Sequence, residues 1–97
     1  MSDKTDPPST AREMRLSNMR GLHARASAKF VRLAGDFDAE ITVEKDGLSV
    51  CGTSIMGLML LAAAQGDRLV ISARGRDAEA ALDALGKLIE GRFEEES

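Results

Sequence analysis

The 97-residue sequence contains one cysteine, one histidine and three aromatic residues, and it lacks tryptophan and tyrosine. A single cysteine excludes an internal disulfide, and one Cys with one His falls short of the four ligands of most structural zinc sites. Three phenylalanines offer no stacking platform for nucleic-acid bases, and a net charge of −3 lacks the basic surface that such partners require. We therefore expect no metal, no cofactor and no nucleic-acid partner.

Long hydrophobic runs are also missing. No stretch combines a charged start with the continuous apolar segment of a signal peptide or membrane span. We therefore expect a cytoplasmic protein without a membrane partner. Ninety-seven residues suffice for one domain with one core, which must consist mainly of Leu, Ile, Val, Ala and Met because aromatics are so few.

Seven segments carry a periodic hydrophobic pattern. Alternation of apolar and polar residues predicts four strands, and spacings of three and four predict three helices. In chain order they are strand 12–18, helix 24–34, strands 40–45 and 48–51, helix 55–65, strand 68–74 and helix 78–90. The Asp46-Gly47 pair between the second and third strands is typical of a type I′ hairpin. This β-α-β-β-α-β-α order predicts an α+β open-faced sandwich, a mostly antiparallel sheet with all three helices on one face.

Both ends of the chain differ in composition from the middle. Residues 1–11 are polar and contain a Pro-Pro pair, which predicts a disordered leader. Residues 94–97, Glu-Glu-Glu-Ser, predict a solvated acidic tail. The folded domain is expected to span residues 12–93.

The only histidine, His23, lies between a predicted strand and a predicted helix. A helix start presents free backbone N–H groups and the positive end of the helix dipole, which favour an anion. Arg25 adds a planar cation suited to phosphate oxygens. Together these features predict phosphorylation of His23, whose neutral imidazole supplies the nucleophilic lone pair. The ordinary alternative is a surface or capping histidine without chemistry.

A second group of residues begins the predicted helix 55–65. Ser54 can cap this helix, and a phosphoryl group on it would lie at the helix N-terminus beside apolar side chains. Ile55, Met56 and Met59 lie next to the stripe that faces the core, so they can form an exposed docking surface for a protein partner. The simpler alternatives are a serine that only caps and apolar side chains that fill the core.

Three segments together carry a family resemblance: Gly-Leu-His-Ala-Arg at 21–25, Ala-Lys-Phe-Val at 28–31 and Ser-Ile-Met-Gly-Leu-Met at 54–59. They resemble the HPr family, the histidine-containing phosphocarrier proteins of the bacterial phosphoenolpyruvate-dependent phosphotransferase system. The resemblance extends over residues 12–91. It implies a sheet in the order 1-4-2-3 and a monomer.

The resemblance also implies a role for each candidate residue. His23 would accept a phosphoryl group on Nδ1 from phosphorylated enzyme I and pass it to a IIA-type protein, while Arg25 steadies the group. Ser54 would be a target of an HPr kinase/phosphorylase. Ile55, Met56 and Met59 would belong to the partner interface. Such a protein is a phosphoryl carrier rather than an independent enzyme.

One position departs from the family. Most members have proline where this chain has Ala26, so we expect a slightly looser site with unaltered function. The alternative function is a regulatory binding module of HPr form that works mainly through phospho-Ser54. Carriers in sugar transport and in a nitrogen-related or regulatory branch fit the sequence equally well.

Overall fold

A computed structural model describes residues 9–95 of the chain. Its strands and helices are β1 (Ser9–Arg15), α1 (Ala24–Ala34), β2 (Glu40–Lys45), β3 (Leu48–Cys51), α2 (Ile55–Leu60), β4 (Arg68–Arg74) and α3 (Ala78–Glu90). A short turn, Arg92–Glu94, follows α3. The predicted β-α-β-β-α-β-α order is confirmed. Between residues 9 and 95, no helix is long and apolar enough to cross a membrane.

The four strands form one antiparallel sheet in the order β1-β4-β2-β3, which confirms the predicted order. The hairpin between β2 and β3 turns at Asp46 and Gly47, whose φ angles are 51° and 86°. Two successive left-handed residues are what a type I′ turn requires. Among residues 9–95, the buried apolar residues of the sheet all lie on the central strands β4 and β2.

The core lies between one face of the sheet and the helices. Leu69, Ile71 and Ala73 of β4 are buried at alternate positions, as the strand period requires. They pack in one cluster with side chains such as Phe30 of α1 and Leu82 of α3. Covering one sheet face with amphipathic helices buries both apolar surfaces, which is the predicted open-faced sandwich.

The first strand begins earlier than predicted. It starts at Ser9 rather than Arg12 and ends at Arg15 rather than Asn18. Ser9 pairs with Arg74 and Thr10 with Ala73, because β4 offers partners along its whole length. Residues 9–11 of the predicted leader thus belong to the sheet, while its residues 1–8 lie outside the described part of the chain.

The second helix is shorter than predicted, ending at Leu60 instead of Gln65. Ala62 adopts a left-handed backbone with φ 51° and is exposed. This turn brings the carbonyl oxygen of Ala63 to the N–H of Leu22, 3.0 Å away. The tertiary contact ends the helix, and the alanine-rich sequence carries no sign of it.

Candidate functional site

His23 is the residue that precedes α1, and its backbone is extended, with φ −75° and ψ 179°. Its carbonyl oxygen accepts the first helical hydrogen bond, from the N–H of Ser27 at 2.9 Å. The ring does not cap the helix, so the imidazole is free to contact other groups. The sequence prediction correctly placed His23 beside the positive end of a helix.

The loop before His23 is fixed by backbone contacts. Gly21 has φ 64°, and a Cβ atom there would lie 2.3 Å from the carbonyl oxygen of Ala63. The side-chain amide of Asn18 donates to the Gly21 carbonyl oxygen at 2.9 Å. Leu22 is buried beside this contact. The histidine therefore follows a rigid, close-packed loop rather than a flexible one.

Glu95 is the residue of this site that the sequence analysis missed. Its Oε2 lies 2.5 Å from Nε2 of His23, and its Oε1 accepts from Nδ2 of Asn18 at 3.1 Å. The side chains of Glu95 and His23 are only 17% and 19% exposed. The predicted solvated tail is therefore wrong at Glu95, although Glu94 is exposed and Glu96 and Ser97 lie outside the described residues.

The Glu95 carboxyl is held in its ionised form. Burial acts to raise the pKa of this carboxyl, but the hydrogen bonds from His23 and Asn18, followed by the charge interactions with His23 and Arg20, outweigh burial. The net result is a pKa below the ordinary value for glutamate. The site thus contains a fixed negative charge next to one ring nitrogen.

Arg25 lies in the first turn of α1, two residues after His23, and is exposed. It makes no hydrogen bond or ion pair with any residue between 9 and 95. A guanidinium group in this state has all five N–H donors available. The binding of a phosphoryl group by Arg25 stays a prediction.

Ser54 is the N-cap of α2, as predicted. Its Oγ accepts a hydrogen bond from the backbone N–H of Gly57 at 3.0 Å. Gly57 is packed closely, because a Cβ there would lie 3.2 Å from both Ser54 Oγ and the Val50 Cβ. The capping role of Ser54 is therefore established, and its phosphorylation remains a prediction.

The apolar side chains after Ser54 are exposed rather than buried in the core. Met56 is 74% exposed, Ile55 40% and Met59 43%. Leu60, which the sequence analysis did not single out, adds to this surface at 71%. Exposed apolar side chains on one short helix are typical of a protein-docking surface.

Residues 10–91 match the protein family described as "PTS HPr component phosphorylation site". The chain belongs to the HPr family. This family membership confirms the resemblance that the three sequence segments predicted. The family description names a phosphorylation site, and phosphorylation of His23 in this chain stays a prediction.

Individual HPr proteins are similar over almost their whole length. The phosphocarrier protein HPr of Cupriavidus necator is 44% identical over 84 residues, covering 87% of this chain and 94% of the relative. The phosphocarrier protein NPr of Shewanella violacea is 40% identical over 86 residues, covering 89% and 94%. A crystal structure of HPr-C-His from Thermoanaerobacter tengcongensis is 44% identical in sequence, with a TM-score of 0.87. The match covers 91% of this chain and 99% of that protein.

Ala26 occupies the α1 position where most HPr proteins have proline. It lies in the first helical turn and is completely buried. The N–H at this position belongs to the first turn of a helix, where intrahelical acceptors are lacking. The helix begins at Ala24 as predicted, so α1 forms without the proline.

Proposed function

We propose that the protein is a phosphocarrier that accepts a phosphoryl group on Nδ1 of His23 from phosphorylated enzyme I and passes it to a IIA-type protein. One observation carries the proposal: the Nε2 atom of His23 is engaged by Glu95, which leaves Nδ1 as the ring nitrogen available for bond formation. Membership of the HPr family supports the same assignment.

Arg25 contributes the positive charge in this proposal. Its exposed guanidinium lies in the first turn of α1 and can move onto the oxygens of the phosphoryl group. The chain itself then acts as acceptor and donor, and the reaction is driven by the partner proteins. We infer a cytoplasmic monomer for this role.

The exposed side chains of Ile55, Met56 and Met59 form the proposed docking surface for these partners. Ser54 lies directly beside them, so a phosphoryl group there adds charge at the edge of the docking surface. An HPr kinase/phosphorylase is the proposed enzyme for that modification. This proximity favours a second candidate function, a regulatory binding module that acts through phospho-Ser54.

Labelling tests the two functions against each other. The purified protein is incubated with enzyme I, Mg²⁺ and labelled phosphoenolpyruvate, in parallel with a His23→Ala variant. Acid-labile label on the wild-type protein alone supports the carrier. Label on both proteins, or on neither with an active enzyme I, contradicts the carrier, and ATP-dependent labelling that Ser54→Ala abolishes then supports the regulatory module.

A further inference from the structure

The chain after α3 turns back toward α1 and places Glu95 against His23. Arg92, Phe93 and Glu94 have φ angles of 59°, 55° and 67°, three consecutive non-glycine residues in the left-handed region. Each such residue costs free energy and persists only where its surroundings enforce it. This turn reverses the chain at the end of α3 and directs Glu95 back to the start of α1.

Two contacts enforce the turn. The side chain of Phe93 is completely buried in the core. The ammonium group of Lys29, on α1, donates to the carbonyl oxygen of Phe93 at 2.7 Å. The C-terminal segment is therefore anchored to the same helix that begins after His23, and the position of Glu95 follows from this anchoring.

Asn18 connects Glu95 to the loop on the other side of the histidine. Its side-chain amide is completely buried and donates both to Glu95 Oε1 and to the carbonyl oxygen of Gly21. One carboxylate oxygen thus binds the loop and the other binds the ring. The carboxylate can hold the imidazole in one orientation because both of its oxygens are occupied.

An ionised carboxylate accepts hydrogen bonds but cannot donate them, so a ring nitrogen bonded to it must carry a proton. We propose that Glu95 is a positioning residue for the phosphoryl transfer described above: it keeps the proton of the neutral His23 ring on Nε2 and leaves the lone pair on Nδ1. This inference rests on the proposed function. It adds to the site a residue that lies outside the three sequence segments that carry the family resemblance.

The transfer balances without a separate base. The Nδ1 lone pair forms the bond to phosphorus as the bond from phosphorus to the donor atom breaks, and that electron pair remains on the donor. The Nε2 proton stays in place, so the phosphorylated ring carries a positive charge. The Glu95 carboxylate lies beside that charge and stabilises it. Transfer to the next protein reverses these bond changes.

The first test needs no partner protein. Imidazole ¹⁵N chemical shifts are measured on the unphosphorylated protein over a series of rising pH values, until the shifts no longer change and report the neutral ring. We expect the wild-type ring to carry its proton on Nε2, and a Glu95→Ala variant to give a mixture of both tautomers. Glu94→Ala is the matched control, because Glu94 contacts Lys29 and not His23.

A second readout is the rate of phosphoryl acceptance. We expect Glu95→Ala to slow acceptance about tenfold, the loss of one hydrogen bond to a charged group. The Glu94→Ala control should stay within about twofold of wild type, as for a surface ion pair. Glu95→Gln retains an acceptor oxygen but loses the negative charge beside the phosphorylated ring, so it should keep the Nε2 tautomer and still slow acceptance. It serves as the test if Glu95→Ala does not fold, and an unchanged acceptance rate in Glu95→Gln would then overturn the role of the carboxylate.

Three results would overturn the positioning role: a wild-type proton on Nδ1, unchanged ¹⁵N shifts in Glu95→Ala, or equal changes in Glu94→Ala. Failure of the proposed function is distinguishable from all three. In that case the wild-type protein takes no label from enzyme I, whereas its ¹⁵N shifts still report whether Glu95 sets the tautomer.

Discussion

Gly21 packs directly against the carbonyl oxygen of Ala63, which lies just after α2. A Cβ atom at Gly21 would be 2.3 Å from that oxygen, and the neighbouring Leu22 N–H donates to it at 3.0 Å. This contact joins the loop before His23 to the segment that follows Ser54 and the apolar docking surface. The two candidate sites therefore share one rigid piece of backbone.

Gly21→Ala should destabilise the protein strongly. The substitution combines a left-handed backbone with a clash against main-chain atoms that cannot rotate away, so we expect a loss of at least about 2 kcal/mol in the free energy of unfolding. Gly47→Ala is the matched control, because Gly47 also has a positive φ but has open space around it. It should cost only about 1 kcal/mol. Urea unfolding measures both, and equal losses would contradict the clash.

Ala26→Pro should stabilise the protein. Proline restricts the unfolded chain and removes no intrahelical hydrogen bond in the first turn, so we expect a gain of about 0.4–1 kcal/mol. Ala28→Pro, two residues further into α1, should lose about 3 kcal/mol because its N–H has an acceptor in Ala24. Thermal unfolding checks the pair. A loss of stability in Ala26→Pro would mean that the buried position has no room for the ring.

Cys51 should react faster with alkylating reagents than an ordinary exposed thiol at neutral pH. Hydrogen bonds from the Thr53 side chain, at 3.1 Å, and from its backbone lower the pKa of the Cys51 thiol below 9.0. Thr53→Val removes the side-chain bond and should shift the pH profile of iodoacetamide reaction upward. Thr10→Val, on β1, should leave the profile unchanged. Identical profiles for wild type and Thr53→Val would show that the Thr53 side chain does not lower the pKa of the Cys51 thiol.

Acid should weaken the contact between Glu95 and His23. The pKa of the Glu95 carboxyl is lower in the folded protein than its ordinary 4.5, so its contribution to stability is present above that value. The contribution is lost as the pH falls through the lower, folded-state pKa. Stability measured from about pH 5 to about pH 3 should therefore fall more steeply for wild type than for Glu95→Gln. Parallel stability curves for the two proteins would show that the Glu95 carboxylate is not bound by His23 and Asn18 in the folded protein.

Local patterns predicted much of this molecule. The alternation around Asp46-Gly47 and the spacing in residues 24–34 depend on nearby residues, and β2, β3 and α1 have the predicted bounds. The predictions failed where a distant segment decides the conformation. Pairing with β4 extends β1 to Ser9, and the contact of Ala63 with Leu22 ends α2 early.

The site residues, too, were predicted where nearby residues decide their position and missed where a distant contact does. His23, Arg25 and Ser54 were identifiable because short segments place them at helix starts. Glu95 was not, since a run of glutamates is typical of a solvated tail and its contact with His23 spans most of the chain. The buried Phe93 was the one local sign that the chain remains folded beyond α3, because an apolar aromatic side chain is rarely left in a solvated tail.

A pulse-chase measurement tests the carrier role most directly. The protein is labelled by enzyme I and phosphoenolpyruvate, separated from both, and then mixed with a IIA-type protein while the label on each protein is followed. We expect acid-labile label that maps to His23 and then moves to the IIA-type protein. Label that maps elsewhere, or that stays on this chain in the presence of an active IIA-type protein, would contradict it.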